Sequence, residues 1–105
     1  MNIRYLAVIA ALSVSATALA AGDGEALFKK NNCSACHAAS SKSVGPALLD
    51  IATKYKGDKS AQTRLEAKAR NGGAGSFGTM PMPATAKSVS DADIKTVVAW
   101  ILNQK

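Results

Sequence analysis

The strongest apolar pattern in the chain lies near its end. Ile94, Val97, Val98, Ile101 and Leu102 recur at the spacing that gathers side chains on one helical face. Trp100 widens that face. Ser90, followed by Asp91 and Asp93, supplies a start close to a capping box. Weaker patterns precede it. Asp23 is a plausible N-cap for a helix reaching about Asn32, with Glu25 early and Lys29 and Lys30 late, the order the helix dipole favours. Leu27 and Phe28 give that helix its apolar side. Ala38 to Val44 is small and polar and reads as a loop. Gly45-Pro46 breaks the chain, and Ala47 to Tyr55 can form a short helix carrying Leu48, Leu49 and Ile51, ended by Gly57-Asp58. Ser60 can cap a further helix from Ala61 to about Asn71, with Gly72 as its stop. Arg64, Lys68 and Arg70 dominate that segment and Leu65 is its main large apolar residue, so a surface position is expected. No repeat, linker or low-complexity tract interrupts the series.

The first twenty residues follow a different rule. Arg4 precedes an unbroken apolar run from Leu6 to Leu12, and hydroxyl residues lead to Ala18-Leu19-Ala20, a small-x-small cleavage site. This is the layout of a secretory signal peptide. The run is too short and too diluted to match the ~20 predominantly apolar residues of a membrane span. The expected organisation is therefore a cleaved signal peptide, 1–20, and one domain, 21–105, exported to a bacterial periplasm without stable membrane insertion. Removing Arg4 leaves twelve basic against seven acidic side chains, a net charge of +5. A domain of this size has a small core and commonly relies on a disulfide, a metal or another staple.

The candidate staple is Cys33-Ser34-Ala35-Cys36-His37. Two thiols three positions apart, followed directly by histidine, form the attachment signature of c-type haem. Each thiol adds across one haem vinyl group, and the two-residue gap roughly matches the vinyl separation. His37 then falls beneath the porphyrin, where it can supply an axial ligand to iron. Other uses of the motif are weaker. A thioredoxin-like pair belongs beside a βαβ pattern, and no alternating strand-like run flanks these cysteines. Structural zinc takes four ligands, and the chain has two cysteines and one histidine. A plain disulfide is the remaining competitor for an exported chain.

A second unusual stretch runs from Gly72 to Ala86. Four glycines and two prolines in Gly72-Gly73-Ala74-Gly75-Ser76-Phe77-Gly78-Thr79-Met80-Pro81-Met82-Pro83-Ala84 make a loop with a constrained path. Pro81 and Pro83 remove two backbone donors and fix the local φ angles, so this segment can present a side chain at a defined place. A thioether suits a second axial position, and His/Met ligation raises the reduction potential. The residue pattern offers Met80 and Met82, and spacing alone does not choose between them.

Taken in order, these features resemble the short monohaem class I cytochromes c of bacterial periplasms, the c-551/c-552 type also called cytochrome c8. The resemblance rests on Leu27-Phe28-Lys29, Cys33-Ser34-Ala35-Cys36-His37, Val44-Gly45-Pro46-Ala47, Asn71-Gly72, Pro81-Met82-Pro83 and Trp100-Ile101-Leu102. It covers essentially all of residues 21–105. It implies an all-α fold of four to five short helices around one covalently attached haem c, with first and last helices crossing near Phe28 and Trp100. It also implies that Cys33 and Cys36 hold the haem and that His37 and Met82 are the axial ligands. Pro46 would orient His37 by accepting its other ring proton. One departure stands out: family members commonly carry Trp-Gly where this chain has Phe77-Gly78. Phenylalanine cannot donate to a haem propionate as an indole can, and Lys68 is a substitute candidate.

The expected function is one-electron transfer between respiratory redox partners, periplasmic or membrane-bound, rather than catalysis. Two axial side chains leave iron without an open position for substrate. A small peroxidase or a gas or redox sensor is the alternative, and each would require the methionine to dissociate. The basic balance suits docking on acidic patches of a partner, with steering that weakens as salt rises. Nucleic acid is not an expected partner for an exported chain, and a shuttle this small is expected to be a monomer.

Overall fold

The computed structural model describes residues 21–105; the expected signal peptide, 1–20, lies outside them. The chain forms α1 (Ala21–Lys30), a single 3-10 turn (Cys33–Ala35), α2 (Leu48–Lys54), α3 (Ala61–Asn71) and α4 (Asp91–Leu102). The described residues contain no strand, only an isolated antiparallel bridge between Gly73 and Met82. The domain is all-α.

The architecture is built on α4, which packs against each of the other three helices. Its start is the expected one: the Asp93 amide donates to Ser90 Oγ at 3.1 Å, satisfying one of the unpaired N–H groups of the first turn. Ile94, Val97 and Val98 are buried, while Ile101 and Leu102 at the end of the stripe are half-buried. Removing such side chains from water contributes about 1.5–3 kcal/mol each when burial is complete. That is why this stripe was readable in the sequence.

Helix α1 crosses α4 at very short range because Gly24 has no side chain. A Cβ there would meet Trp100 Cβ at 2.2 Å and the Thr96 carbonyl at 3.2 Å. One turn further on, the buried Phe28 ring meets Trp100 with centroids 5.2 Å apart and planes tilted by 51°. Such a pair contributes about 0.5–1.5 kcal/mol beyond area burial. Asp23 does not cap α1. The helix already starts at Ala21, and Asp23 sits within its first turn, where its charge still complements the dipole. At the other end α1 stops at Lys30, two residues before the expected Asn32. Asn32 adopts the left-handed conformation, φ 61° and ψ 18°, and reverses the chain, a role asparagine tolerates better than most residues.

The two short helices depend on partners outside themselves. Ala47 occupies the N-cap of α2 and offers no side-chain acceptor. Instead the Leu48 amide donates to the Ala38 carbonyl at 2.9 Å and the Leu49 amide to Ala39 at 3.1 Å. The polar loop after the histidine therefore caps α2 with its backbone. For α3 Ser60 occupies the expected N-cap position and its carbonyl accepts the Arg64 amide at 3.1 Å, but its hydroxyl accepts no helix amide. Its own N–H and hydroxyl donate to Asp58 Oδ1, at 2.9 and 2.8 Å, so Asp58 organises the turn. The surface expectation for α3 holds for Arg64 but not for the whole helix, since Ala61 is 1% exposed.

Phe28, Leu48, Ile51 and Val97 form the centre of the core, with Leu27, Tyr55, Leu65, Trp100 and Ile101 packed against it. We expect Gly24→Ala to destabilise the protein by about 1–3 kcal/mol, because overpacking at a tight crossing forces backbone movement. A lowered denaturant midpoint with an unchanged slope would show it, and an unchanged midpoint would contradict the close-crossing account.

Candidate functional site

The core is open on one side to a cavity of about 720 Å³, within the ~300–1,000 Å³ range of sites that bury a sizeable ligand. The 3-10 turn and its continuation supply Cys33, Cys36 and His37 to it, the Gly45-Pro46 segment lies against the histidine, and the loop after α3 adds Phe77, Met80 and Met82. Helices contribute the apolar floor, including Phe28, Ile51, Leu65 and Val97.

The local backbone explains why two cysteines meet one cavity. Residues three apart eclipse in a 3-10 turn, and the amides of Cys36 and His37 both donate to the Cys33 carbonyl, at 3.2 and 3.0 Å. Cys33 and Cys36 thus turn to the same side. Both are free thiols and half-buried. Burial pushes the Cys33 thiol up, opposed by a backbone hydrogen bond and reinforced by neighbouring Cys36. A thiol held protonated is a poor spontaneous nucleophile.

His37 is fixed from two sides. Its Nδ1 lies 2.8 Å from the Pro46 carbonyl. A carbonyl only accepts, so Nδ1 carries a proton, and in the neutral ring Nε2 is then the nitrogen with the bare lone pair. This is the arrangement that orients a metal-binding imidazole. Gly45 packs flat against the ring: a Cβ there would stand 2.6 Å from His37 Cε1 and 2.9 Å from Nδ1. Its amide also donates to the Cys36 carbonyl at 2.7 Å. In sequence Gly45-Pro46 reads as a break in the chain, and nothing in the pattern announces that the glycine makes room for the imidazole.

The methionine loop is anchored to the end of α3. Gly72 adopts φ 69° and ψ −161°, a region essentially closed to other residues. Its Cα approaches so closely that a Cβ would meet the Met82 carbonyl at 2.4 Å. Gly73 and Met82 then exchange both backbone hydrogen bonds, each 2.9 Å. Met82 is half-buried, whereas Met80 is 66% exposed. Both border the cavity.

Phe77 is 41% exposed and does not stand alone. Tyr55 meets it edge-on at 6.4 Å, and Lys54 Nζ lies 4.3 Å above its ring while donating to the Ser76 carbonyl. Nothing in the pattern around Lys54 points to this cover, since a lysine at the end of a short helix carries no signal of what loop it will reach. Lys68 borders the cavity too, with its ammonium donating to the Ala74 carbonyl at 3.2 Å. Asn31 Nδ2, also on the cavity wall, is buried without a hydrogen-bond partner among the described residues.

An apolar recess with paired thiols at one wall, an oriented imidazole beside them and thioethers from a separate loop fits a haem better than a bare metal ion. The relatives decide the matter. A cytochrome c family model matches residues 21–105. The chain belongs to the cytochrome c family. It is 44% identical over 105 residues to cytochrome c-552 of Nitrosomonas europaea, covering 100% of this chain and 100% of that one. Cytochrome c-551 of Pseudomonas aeruginosa is 41% identical over 95% of this chain and 94% of its own. The crystal structure of the wild-type Nitrosomonas europaea cytochrome c552 superposes with a TM-score of 0.72 at 49% identity, covering 77% of this chain and 99% of that one. This is a class I monohaem cytochrome c, and its cofactor is covalent haem c. Among the described residues no helix is long and apolar enough to cross a membrane.

Because Gly45 leaves no room for a side chain, Gly45→Ala is expected to displace the imidazole and stretch its bond to Pro46. The expected stability loss is about 1 kcal/mol or more. Shifted His37 ring resonances in NMR spectra, together with a lower unfolding midpoint, would show it; unmoved resonances would mean that the segment yields instead.

Proposed function

We propose that this cytochrome c is a periplasmic one-electron carrier whose haem is attached through Cys33 and Cys36 and ligated axially by His37 and Met82. The observation that carries the reading is the commitment of His37 Nδ1 to the Pro46 carbonyl, 2.8 Å away, beside two free thiols. It leaves the lone pair of Nε2 oriented for a metal. Bound haem supplies an iron that takes up and releases one electron. The protein's part is to hold two soft, neutral side chains in place so that no water or substrate reaches that iron.

Met82 is preferred to Met80 on two grounds. It lies inside Pro81-Met82-Pro83, matching the family motif, and its backbone is pinned to Gly73 by two hydrogen bonds. The far greater exposure of Met80 leaves its thioether to solvent. Phe77 cannot donate to a propionate, so any such contact falls to a different donor, and Lys68 at the cavity wall is the candidate. A thioether ligand raises the potential and, by filling the last position, disfavours peroxidase or sensor chemistry.

The periplasmic assignment rests on the leader, 1–20, and its small-x-small end. The two Nitrosomonas europaea comparisons support its removal. One spans the whole of this chain, and the solved protein spans 77% of it with nearly none of its own length unmatched. The surplus of basic side chains supports docking on acidic surfaces of redox partners, as a monomer, with on-rates that fall as ionic strength rises.

Oxidised and reduced optical spectra test this reading. A low-spin c-type spectrum with the weak red-end band of methionine-ligated ferric iron is expected, together with negligible carbon monoxide binding by the reduced protein. A haem spectrum without that band, or prompt stoichiometric carbon monoxide binding, would shift the reading to an open-site enzyme or sensor. Met82→Ala is expected to abolish the band and Met80→Ala to preserve it, and the reverse order would overturn the ligand choice. Cys33→Ala and Cys36→Ala are each expected to lower covalent haem retention, read as haem lost on acid–organic extraction; a double variant that keeps normal thioether-linked haem would refute the attachment site.

A further inference from the structure

We infer that Arg70 is a positioning residue for the Met82 side chain, buckling the returning arm of the methionine loop onto the last turn of α3. The inference deepens the proposed ligand role of Met82 and rests on it. Four positions of the arm are tied to a five-residue stretch. Met82 pairs with Gly73. The amide and the hydroxyl of Thr85 both donate to the Ala69 carbonyl, at 3.0 and 2.6 Å. Arg70 holds the other two: Nη1 donates to the Ala86 carbonyl at 3.2 Å and Nη2 to the Val89 carbonyl at 2.6 Å. Residues 86 and 89 are themselves the ends of a turn, with the Val89 amide on the Ala86 carbonyl at 3.0 Å. One rigid guanidinium thus fixes where that turn sits.

The burial of the partners shows which of its bonds matter. The Arg70 side chain is 25% exposed, but Asp91, which accepts from Nη2 at 2.7 Å and from Nε at 3.1 Å, is 92% exposed. A carboxylate so open to water contributes little. The two backbone carbonyls gain a specific partner and a fixed separation. Between the nearer of them, Ala86, and Met82 lie only Pro83, Ala84 and Thr85, and Pro83 has a fixed φ and no N–H to re-pair. A shift of the turn therefore pulls on the adjoining Thr85 tie to Ala69 and, through the stiff Pro83, on Met82.

The test is imidazole binding to the oxidised holoprotein, followed by loss of the red-end band, because imidazole must displace the thioether. Losing two backbone hydrogen bonds should tighten apparent imidazole affinity about tenfold in Arg70→Met. Asp91→Asn should stay within about twofold of wild type, as its bond is solvent-screened. Arg70→Lys, a cation without the fork, should fall between wild type and Arg70→Met. Affinities are compared where far-UV circular dichroism is native in every variant, so a merely structural loss moves the unfolding midpoint but not the imidazole curve. Wild-type affinity in Arg70→Met overturns the inference, whatever the midpoint does. If Arg70→Met fails to mature, Arg70→Lys decides: tighter imidazole binding supports the role, and wild-type affinity refutes it. A wild-type protein without the red-end band overturns the methionine reading and this inference together, whereas a normal band with unaltered affinities overturns this inference alone.

Discussion

Bare backbone at Gly24, lying against the Trp100 side chain, sets the distance between α1 and α4. Everything on the cavity side depends on that spacing. The crossing lets Phe28 reach Trp100 and the core centre formed with Leu48, Ile51 and Val97. The same helix then hands the chain through Asn32 into the cysteine turn. A wider crossing would leave this short apolar inventory loosely packed, and loss of dispersion contacts rises steeply with even a sub-ångström gap.

The two walls of the cavity are built on different physical terms. The histidine wall is local: a 3-10 turn, a glycine against the ring and a proline carbonyl nine residues away fix Cys33, Cys36 and His37. The methionine wall is assembled from a distance, with residues 82 to 89 returning onto residues 69 to 73. Glycine serves both walls, through missing volume at Gly45 and through backbone conformation at Gly72. Neither glycine is replaceable by a merely small residue, since even one methyl group meets the ring or the Met82 carbonyl.

Much of this was legible in the sequence, and the reason is periodicity plus motif. The stripe on α4, the Ser90 cap and the Gly72 stop follow from local rules, as does the spacing of Cys33, Cys36 and His37. The choice of Met82 over Met80 came from likeness to a family, since both thioethers border the cavity and no local pattern separates them. What pattern could not supply was partnership across the fold. Asp23 and Ser60 have the right chemistry for caps, but α1 begins earlier than Asp23, while Ser60 takes the N-cap position of α3 with its hydroxyl turned to Asp58 instead of to the helix. The cover of Lys54 over Phe77 and the fork of Arg70 on two carbonyls involve residues separated by 16 to 23 positions, where a lysine or arginine in sequence reads only as surface charge.

The contacts of α4 also govern when a structure can exist at all. Since α4 packs on α1, α2 and α3 and supplies Val97 to the core centre, no stretch of chain before residue 91 contains a complete set of core partners. Domains ordinarily fold as units once their contacts are available. Vectorial synthesis therefore delivers this chain open, with its thiols accessible, until its final helix arrives. Late closure suits a polypeptide that must meet a bulky planar cofactor before its interior shuts.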